Sequence, residues 1–380
     1  MIKRLFCVLA VFIMMSCAMT ITVSADEKSD TAEKITAVFG DSIPAGYGLE
    51  GYDRNDPSAA ADSFANLWAK QNDLVTGKSF QNFSRMGLPS NKINAVIKSA
   101  DINFMKTAKV VMISAGGNDV IDTYGEVMLN ALKDEQELLE KYDIKPDMSD
   151  LNSIQKEILS TVMNPMKYEV LDKMVEKCMD EKSVAIYNNI PKDFEESVRD
   201  SVSYIHKLNP DAEILLLTPY NPLNAVNGVE NKLITSVNNT ISEINKVGKE
   251  LEKDKSFDNK LHCINLLSEF DGKYFQLVNV MRMDIHPSVE GHKYILKLIN
   301  ESLSPETEAS ETAASVIEQK SSTAESSVSE LKTESSSGQR MYIHPALTIV
   351  LFCTAILCVT LISISFIMKR VKKSGKKTRK

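Results

Sequence analysis

Five short, mainly apolar runs punctuate the first 303 residues: Ile35 to Phe39, Phe80 to Phe83, Val110 to Ser114, Ile214 to Thr218 and His262 to Leu267. Each is strand length, bounded by turn residues, and lacks the regular polar alternation of a sheet with one wet face, so each reads as a buried strand. Patterns of helical period separate them, around Ala59 to Lys70, Lys92 to Ser99, Phe194 to Lys207, Leu233 to Leu251 and Val289 to Leu303. Strand and helix in alternation specify an α/β fold with a parallel sheet covered on both faces. In such a sheet, sites form at the carboxyl ends of the strands. The residues that follow each strand are therefore where chemistry is expected.

One stretch departs from the alternation. From about Ile121 to Asp193 the chain is long, Met-rich and helical in period, with Leu151, Ile154, Ile158 and Val162 on one stripe and Leu171, Met174, Val175 and Cys178 on another. It reads as a helical insertion of two or three helices, either a packing appendage or a cap over the site.

The two ends are built for other purposes. Lys3 and Arg4 precede an apolar run from Leu5 to about Val23 that closes on Ser24-Ala25, the layout of a secretory signal peptide over 1–25. Residues 304–344, rich in Ser, Thr, Glu and Ala, hold too little apolar surface to fold and read as a disordered stalk. Pro345 to Met368 contains no charged side chain and is long enough to span about 30 Å of hydrocarbon, so it is expected to be a transmembrane helix. Eight of the last twelve residues, 369–380, are basic, which holds that end in the cytoplasm and turns residues 26–303 outward. The sequence thus predicts a single-pass cell-membrane protein with an extracellular globular domain.

Charge narrows the partners. With the tail's eight positive charges and the two at Lys3 and Arg4 set aside, the formal net charge of −7 becomes −17 over Asp26 to Met368. So acidic a domain is a poor fit to nucleic acid. Two cysteines, Cys178 and Cys263, fall in it; one disulfide or two separate thiols are equally open. No set of His, Cys and carboxylates has metal-ligand spacing, and no Gly-x-x-x-x-Gly-Lys-Ser/Thr loop is present, so neither metal nor cofactor is inferred.

The strand ends hold the candidate chemistry. After the first comes Gly40-Asp41-Ser42, a serine where a strand turns and backbone N–H groups lie nearby. The second strand leads to Gly87, and the third to Gly116-Gly117-Asn118-Asp119, where a glycine lets the backbone approach a ligand and an amide donates without carrying charge. Near the end stands Asp284-Ile285-His286, in which the Asp can accept one imidazole N–H and leave the other nitrogen for a hydroxyl. His292 falls inside the last helical pattern and is assigned a surface or capping role, while His206 and His262 are read as structural. Gly-x-Ser-x-Gly occurs nowhere, which argues against the nucleophile elbow of the α/β-hydrolases.

Taken in order, Gly40-Asp41-Ser42, Gly87, Gly116-x-Asn118-Asp119 and Asp284-x-His286 resemble the four blocks of the SGNH/GDSL hydrolase family, over about Lys34 to Leu303. The resemblance implies a flavodoxin-like three-layer α/β/α sandwich. It implies Ser42 as nucleophile, His286 as general base and Asp284 as the residue that orients it. The oxyanion would be held by the backbone N–H groups of Ser42 and Gly87 and the amide of Asn118. Ile43 and Pro44 follow the serine where Leu and Ser or Thr are frequent; neither change removes a catalytic group. The expected activity is hydrolysis of carboxylic esters through an acyl-enzyme, with a small-molecule or glycan ester such as an O-acetylated polysaccharide as substrate. A lipase or phospholipase, and a non-catalytic binding protein on the same scaffold, are the alternatives.

Overall fold

The computed structural model describes residues 34–143, 173, 175–225, 232–282 and 284–304. The expected signal peptide, residues 144–172 of the insertion, the stalk beyond Ser304, the transmembrane span and the basic tail lie outside them. Among the described residues, no helix is long and apolar enough to cross a membrane.

Five strands appear close to where the apolar runs stand: β1 Thr36–Gly40, β2 Phe80–Asn82, β3 Val110–Ser114, β4 Glu213–Thr218 and β5 Leu261–Asn265. They form one parallel sheet in the order β2-β1-β3-β4-β5. This is the flavodoxin-like order, whose switch point lies between β1 and β3. Side chains alternate between the two faces. Ala37, Phe39, Val111, Ile113, Ile214 and Leu216 join one core, and Val38, Val110, Met112, Leu215 and Leu217 the other.

Helices cover both faces. The helices described are α1 Phe64–Gln71, α2 Ser90–Ser99, α3 Ile102–Thr107, α4 Gly117–Asp134, α5 Gln136–Lys141, α6 Glu181–Tyr187, α7 Ile190–Leu208, α8 Lys232–Glu252, α9 Leu266–Glu269, α10 Tyr274–Leu277 and α11 Val289–Leu303. The first core takes the apolar stripes of α2, α4, α7 and α8; the second takes α1, with Phe64 and Trp68, and α11, with Ile295, Leu298 and Ile299. The fold is therefore a three-layer α/β/α sandwich. Burying both sides of the sheet is what its unalternating apolar strands require. Trp68 ties one layer to the next, its indole N–H donating to the Thr36 hydroxyl at 3.0 Å in the fully buried interior.

Capping corrects two boundaries. The helix expected from Ala59 starts at Phe64, because the Ser63 hydroxyl accepts from the Asn66 N–H and the Asn66 amide binds the carbonyls of Pro57 and Ala60, holding the preceding turn. The last strand stops at Asn265, whose side chain accepts from the Ser268 N–H, so Leu266 and Leu267 belong to α9. Cys178 and Cys263 are two separate buried thiols, each pushed up to about 12 by burial.

Candidate functional site

The end of β1 folds back on itself to present the serine. Gly40 allows this: a Cβ there would stand 2.7 Å from Pro44 Cγ and 2.9 Å from the Ser114 carbonyl oxygen, closer than a side chain tolerates. Asp41 turns inward, its Oδ1 accepting from the Ile43 N–H at 3.0 Å, and the Ser42 carbonyl accepts from the Tyr47 N–H at 3.0 Å. Ser42 thus sits on a pinned turn, 4 % exposed.

The opposite half of the site is a closed loop between α10 and α11. Its ends pair as an antiparallel bridge, Val278 with Pro287. Asn279 stitches the interior: its N–H donates to the His286 carbonyl at 3.0 Å, its amide to the Pro287 carbonyl at 3.2 Å, and its own carbonyl accepts from Asp284 and Arg282. From the sheet side, the Tyr220 hydroxyl donates to the Ile285 carbonyl at 2.5 Å, and its ring stacks on Phe270. The ring of Tyr47 stands 4.5 Å from that of His286. Gly48 leaves room for the acid: a Cβ there would meet Asp284 Oδ2 at 2.6 Å.

These two halves bring Ser42, His286 and Asp284 into one hydrogen-bonded line. Asp284 Oδ1 is 2.5 Å from His286 Nδ1 and also accepts the His286 backbone N–H at 3.1 Å. His286 Nε2 is 2.9 Å from Ser42 Oγ. A carboxylate only accepts, so it places the ring proton on Nδ1 and leaves Nε2 bare toward the hydroxyl. That is the protonation a general base needs.

Of the other two expected residues, Asn118 lies beside the serine and Gly87 lies at the same edge of the sheet. The pairing of β2 with β1 continues past the strand, with Phe83 N–H on the Val38 carbonyl and Arg85 N–H on the Gly40 carbonyl, which carries Gly87 to the same carboxyl edge. Asn118, in the first turn of α4, is buried, and its amide gives both hydrogens at 3.3 Å, one to Asp41 Oδ2 and one to the Leu88 carbonyl. It stands beside Ser42, but its donors are occupied in this arrangement. Asp119 caps the other side, accepting from the Ser90 N–H and hydroxyl.

Burial dominates the electrostatics here. It raises the Asp41 carboxyl to about 6, only partly offset by the Ile43 N–H and by His286. It raises Asp122 to about 7, with the neighbouring Asp119 and Glu126 adding to the effect. The Tyr220 hydroxyl is pushed well above its ordinary value, by burial first and then by Asp284 and Asp41, so it stays a donor. Of the two roles expected for His292, surface or capping, it takes the second, receiving the N–H of the first residue of α1. It is fully buried, its Nδ1 accepts the Phe64 N–H at 3.2 Å, and burial lowers it to about 3, which keeps it neutral. His206 and His262 pair with Asp258 and Glu213. Among the described residues, no group of three His, Cys, Asp or Glu side chains could hold a metal ion.

Beside Ser42 and His286 lies an apolar cavity between α4 and α8, with Val120 and Ile121 on one wall, Val237 and Ile241 on the other, and Pro219 and Tyr220 closing the sheet end. Tyr220 was not anticipated. Its signal is Pro219-Tyr220-Asn221-Pro222, a proline-bracketed turn directly after β4, at the edge where sites form.

The model of the GDSL-like lipase/acylhydrolase family matches residues 38–294, from within β1 to within α11. The chain belongs to this family. Among solved structures it is similar to an extracellular lipase from Streptomyces rimosus, at 16% identity and a TM-score of 0.45 over 70% of this chain and 98% of that one. It is also similar to phospholipase A1 from Streptomyces albidoflavus NA297, at 14% identity and 0.44 over 70% and 98%. A third is the lipase Lip_vut3 from a goat rumen metagenome, at 16% identity and 0.43 over 70% and 96%. No curated protein matches the chain. In this member of the GDSL-like acylhydrolases, His286 lies within hydrogen-bond reach of both Ser42 and Asp284.

Proposed function

We propose that this family member is a serine ester hydrolase that works through an acyl-enzyme on the outer face of a membrane. The observation that carries the reading is the unbroken line from Ser42 Oγ through His286 to Asp284, at 2.9 and 2.5 Å. Ser42 Oγ attacks the ester carbonyl carbon as its proton passes to His286 Nε2. The tetrahedral intermediate then expels the alcohol, which takes that proton. Water, deprotonated by the same nitrogen, releases the acid and restores the serine. Asp284 holds the imidazole in register and stabilises its charged form.

The backbone N–H groups of Ser42 and Gly87 donate to no described residue, which suits them to receive the oxyanion. Asn118 joins them by giving up one of its 3.3 Å bonds, which lie beyond the usual N–H···O range and cost little to exchange. The signal-like start, the stalk of 304–344, the apolar run 345–368 and the basic tail support export of the catalytic part with retention by a single anchor. O-acyl groups of surface or environmental polysaccharide are the substrates this placement favours.

Hydrolysis of p-nitrophenyl acetate by the full-length chain, compared with its Ser42→Ala form, tests the chemistry. The variant is expected to lose activity by a factor on the order of 10⁴ or more. Undiminished activity in Ser42→Ala, or a folded wild-type chain inert toward every ester, overturns it. Labelling of intact cells by a membrane-impermeant amine reagent tests the topology: the globular part should label, and protection of it contradicts the outward placement.

A further inference from the structure

A second cleft reaches the same carboxyl edge of the sheet, and its lining is of a different kind from that of the apolar cavity. It runs between the turn at Arg54 to Pro57, the chain that follows β2 as far as Leu88, and one side of α2. Two hydrogen bonds join it to the site: the Asn82 amide donates to the Pro44 carbonyl at 3.1 Å, and the Leu88 carbonyl accepts from Asn118 at 3.3 Å. Gly87, the proposed oxyanion donor, is part of its wall. An ester seated at Ser42 therefore borders this cleft.

The cleft is rich in donors. Arg54, Arg85 and Lys92 bring positive charge to its lining against one carboxyl, Asp122. Arg54 shares its turn with Asp53 and Asp56, so the excess charge rests on Arg85 and Lys92. Both are exposed, and neither side chain has a hydrogen-bond or ion-pair partner among the described residues. Burial raises the Asp122 carboxyl to about 7, so near neutral pH it opposes an anion with only part of a charge. Ser84, in the same wall, is 2 % exposed, and its hydroxyl has no partner among the described residues. A buried hydroxyl left so is costly, and an acceptor brought into the cleft would satisfy it. The setting sharpens the contrast, since the formal net charge over Asp26 to Met368 is −17 and so acidic a domain repels anions elsewhere.

We propose that this cleft binds an anionic group of the substrate, a carboxylate or a phosphate held by Arg85 and Lys92, so that the preferred esters are those of acidic molecules. The inference rests on the ester-hydrolase reading, since it takes the ester to lie at Ser42 and Gly87. The planar fork of Arg85 suits two oxygens of one carboxylate or phosphate, and Lys92 adds a compact charge beside it. The Ser84 hydroxyl donates from within the wall. Among O-acylated polysaccharides, the site then selects acidic glycans, whose sugars carry carboxylate or phosphate, over neutral ones.

The test is kcat/KM of the full-length chain toward esters that differ chiefly in charge. For the alcohol half, 4-acetoxybenzoate and 4-acetoxyphenyl phosphate are set against methyl 4-acetoxybenzoate; for the acyl half, mono-p-nitrophenyl adipate is set against p-nitrophenyl hexanoate. Each is measured in wild type, in the double variant Arg85→Gln with Lys92→Gln, and in Lys78→Gln, a charge control just before β2 at the opposite edge of the sheet. The double variant should lose about tenfold or more on the anionic esters of at least one set, chiefly through KM, and stay within about twofold on the neutral ones. The set that responds identifies the half that carries the charge, and the larger loss between benzoate and phosphate identifies the anion. Lys78→Gln should leave every ester within about twofold. Equal losses on charged and neutral esters, an equal effect of Lys78→Gln, or unchanged anionic esters in a double variant that thermal melts show folded, overturns the anion site. Those failures would occur with Ser42-dependent hydrolysis of neutral esters still present, whereas a chain inert toward every ester, or hydrolysis surviving in Ser42→Ala, would remove the underlying function instead.

Discussion

The site is assembled from two regions that treat their carboxyl groups in opposite ways. In the loop between α10 and α11, Asp284 accepts from two donors of one residue, the backbone N–H and Nδ1 of His286, and is 23% exposed through its side chain. On the serine side, in the β1 turn and the first turns of α4, Asp41, Asp119 and Asp122 crowd together under burial, and all three are raised. The loop uses a carboxylate for its charge. On the serine side burial works against charge, while Asp41 and Asp119 act as acceptors that fix Ile43, Asn118 and Ser90. Aspartates around Ser42 and His286 therefore differ because their donors and burial differ.

Substituting one carboxyl from each region breaks this contrast. Asp284→Asn should lower kcat toward p-nitrophenyl acetate by a factor on the order of 10³–10⁴ with KM little changed, because an amide can hold the wrong imidazole tautomer. A loss below tenfold would show that the loop's carboxylate is not used for its charge.

Asp122→Asn on the serine side should instead stabilise the protein. The Asp122 carboxyl is raised from about 4 to about 7, with no hydrogen-bond or ion-pair partner among the described residues. Its ionisation is opposed by the fold, so stability is fully present below about pH 4 and falls as pH rises through about 7. The variant should remove that fall, gaining about 2–4 kcal/mol at pH 8 and nothing measurable at pH 4, as read by urea unfolding at the two pH values. A gain independent of pH would contradict this origin.

The smallest expected effect lies at the join of the two regions. Tyr220→Phe removes the hydroxyl that holds Ile285 from the sheet side. About a tenfold loss in kcat is expected, with KM for a short ester nearly constant and the melting temperature lowered by a few degrees at most. If KM rises while kcat holds, Tyr220 serves the cavity wall rather than the loop.

How much of this could be read from the chain differs between the same regions. The strands were legible because their apolar runs have no wet face, and Ser42 and His286 were legible because each follows an element end with its partners nearby in sequence or at a strand edge. The limits of α1 and β5 were not, since capping by Ser63 and Asn265 acts through hydrogen bonds that hydrophobic period does not record. Buried Asp41 and half-buried Asp122 run against the usual exposure of carboxylates, so composition gives no warning of them. The occupied amide of Asn118 depends on Leu88, 30 residues away. The burial of His292 depends on Phe64, 228 residues away. Such partners emerge only when the sheet order brings the ends of β1, β2 and β3 together.

Ser42 and His286, the proposed nucleophile and base, are separated by 244 positions. A chain emerging amino end first therefore adds 244 residues after Ser42 before it holds the proposed base. His286 lies in the loop closed by the Val278–Pro287 bridge, just before α11, which packs on α1. A chain that stops before His286 holds no imidazole to take the Ser42 proton, so under the proposed chemistry the order of the chain itself acts as a safety catch during manufacture.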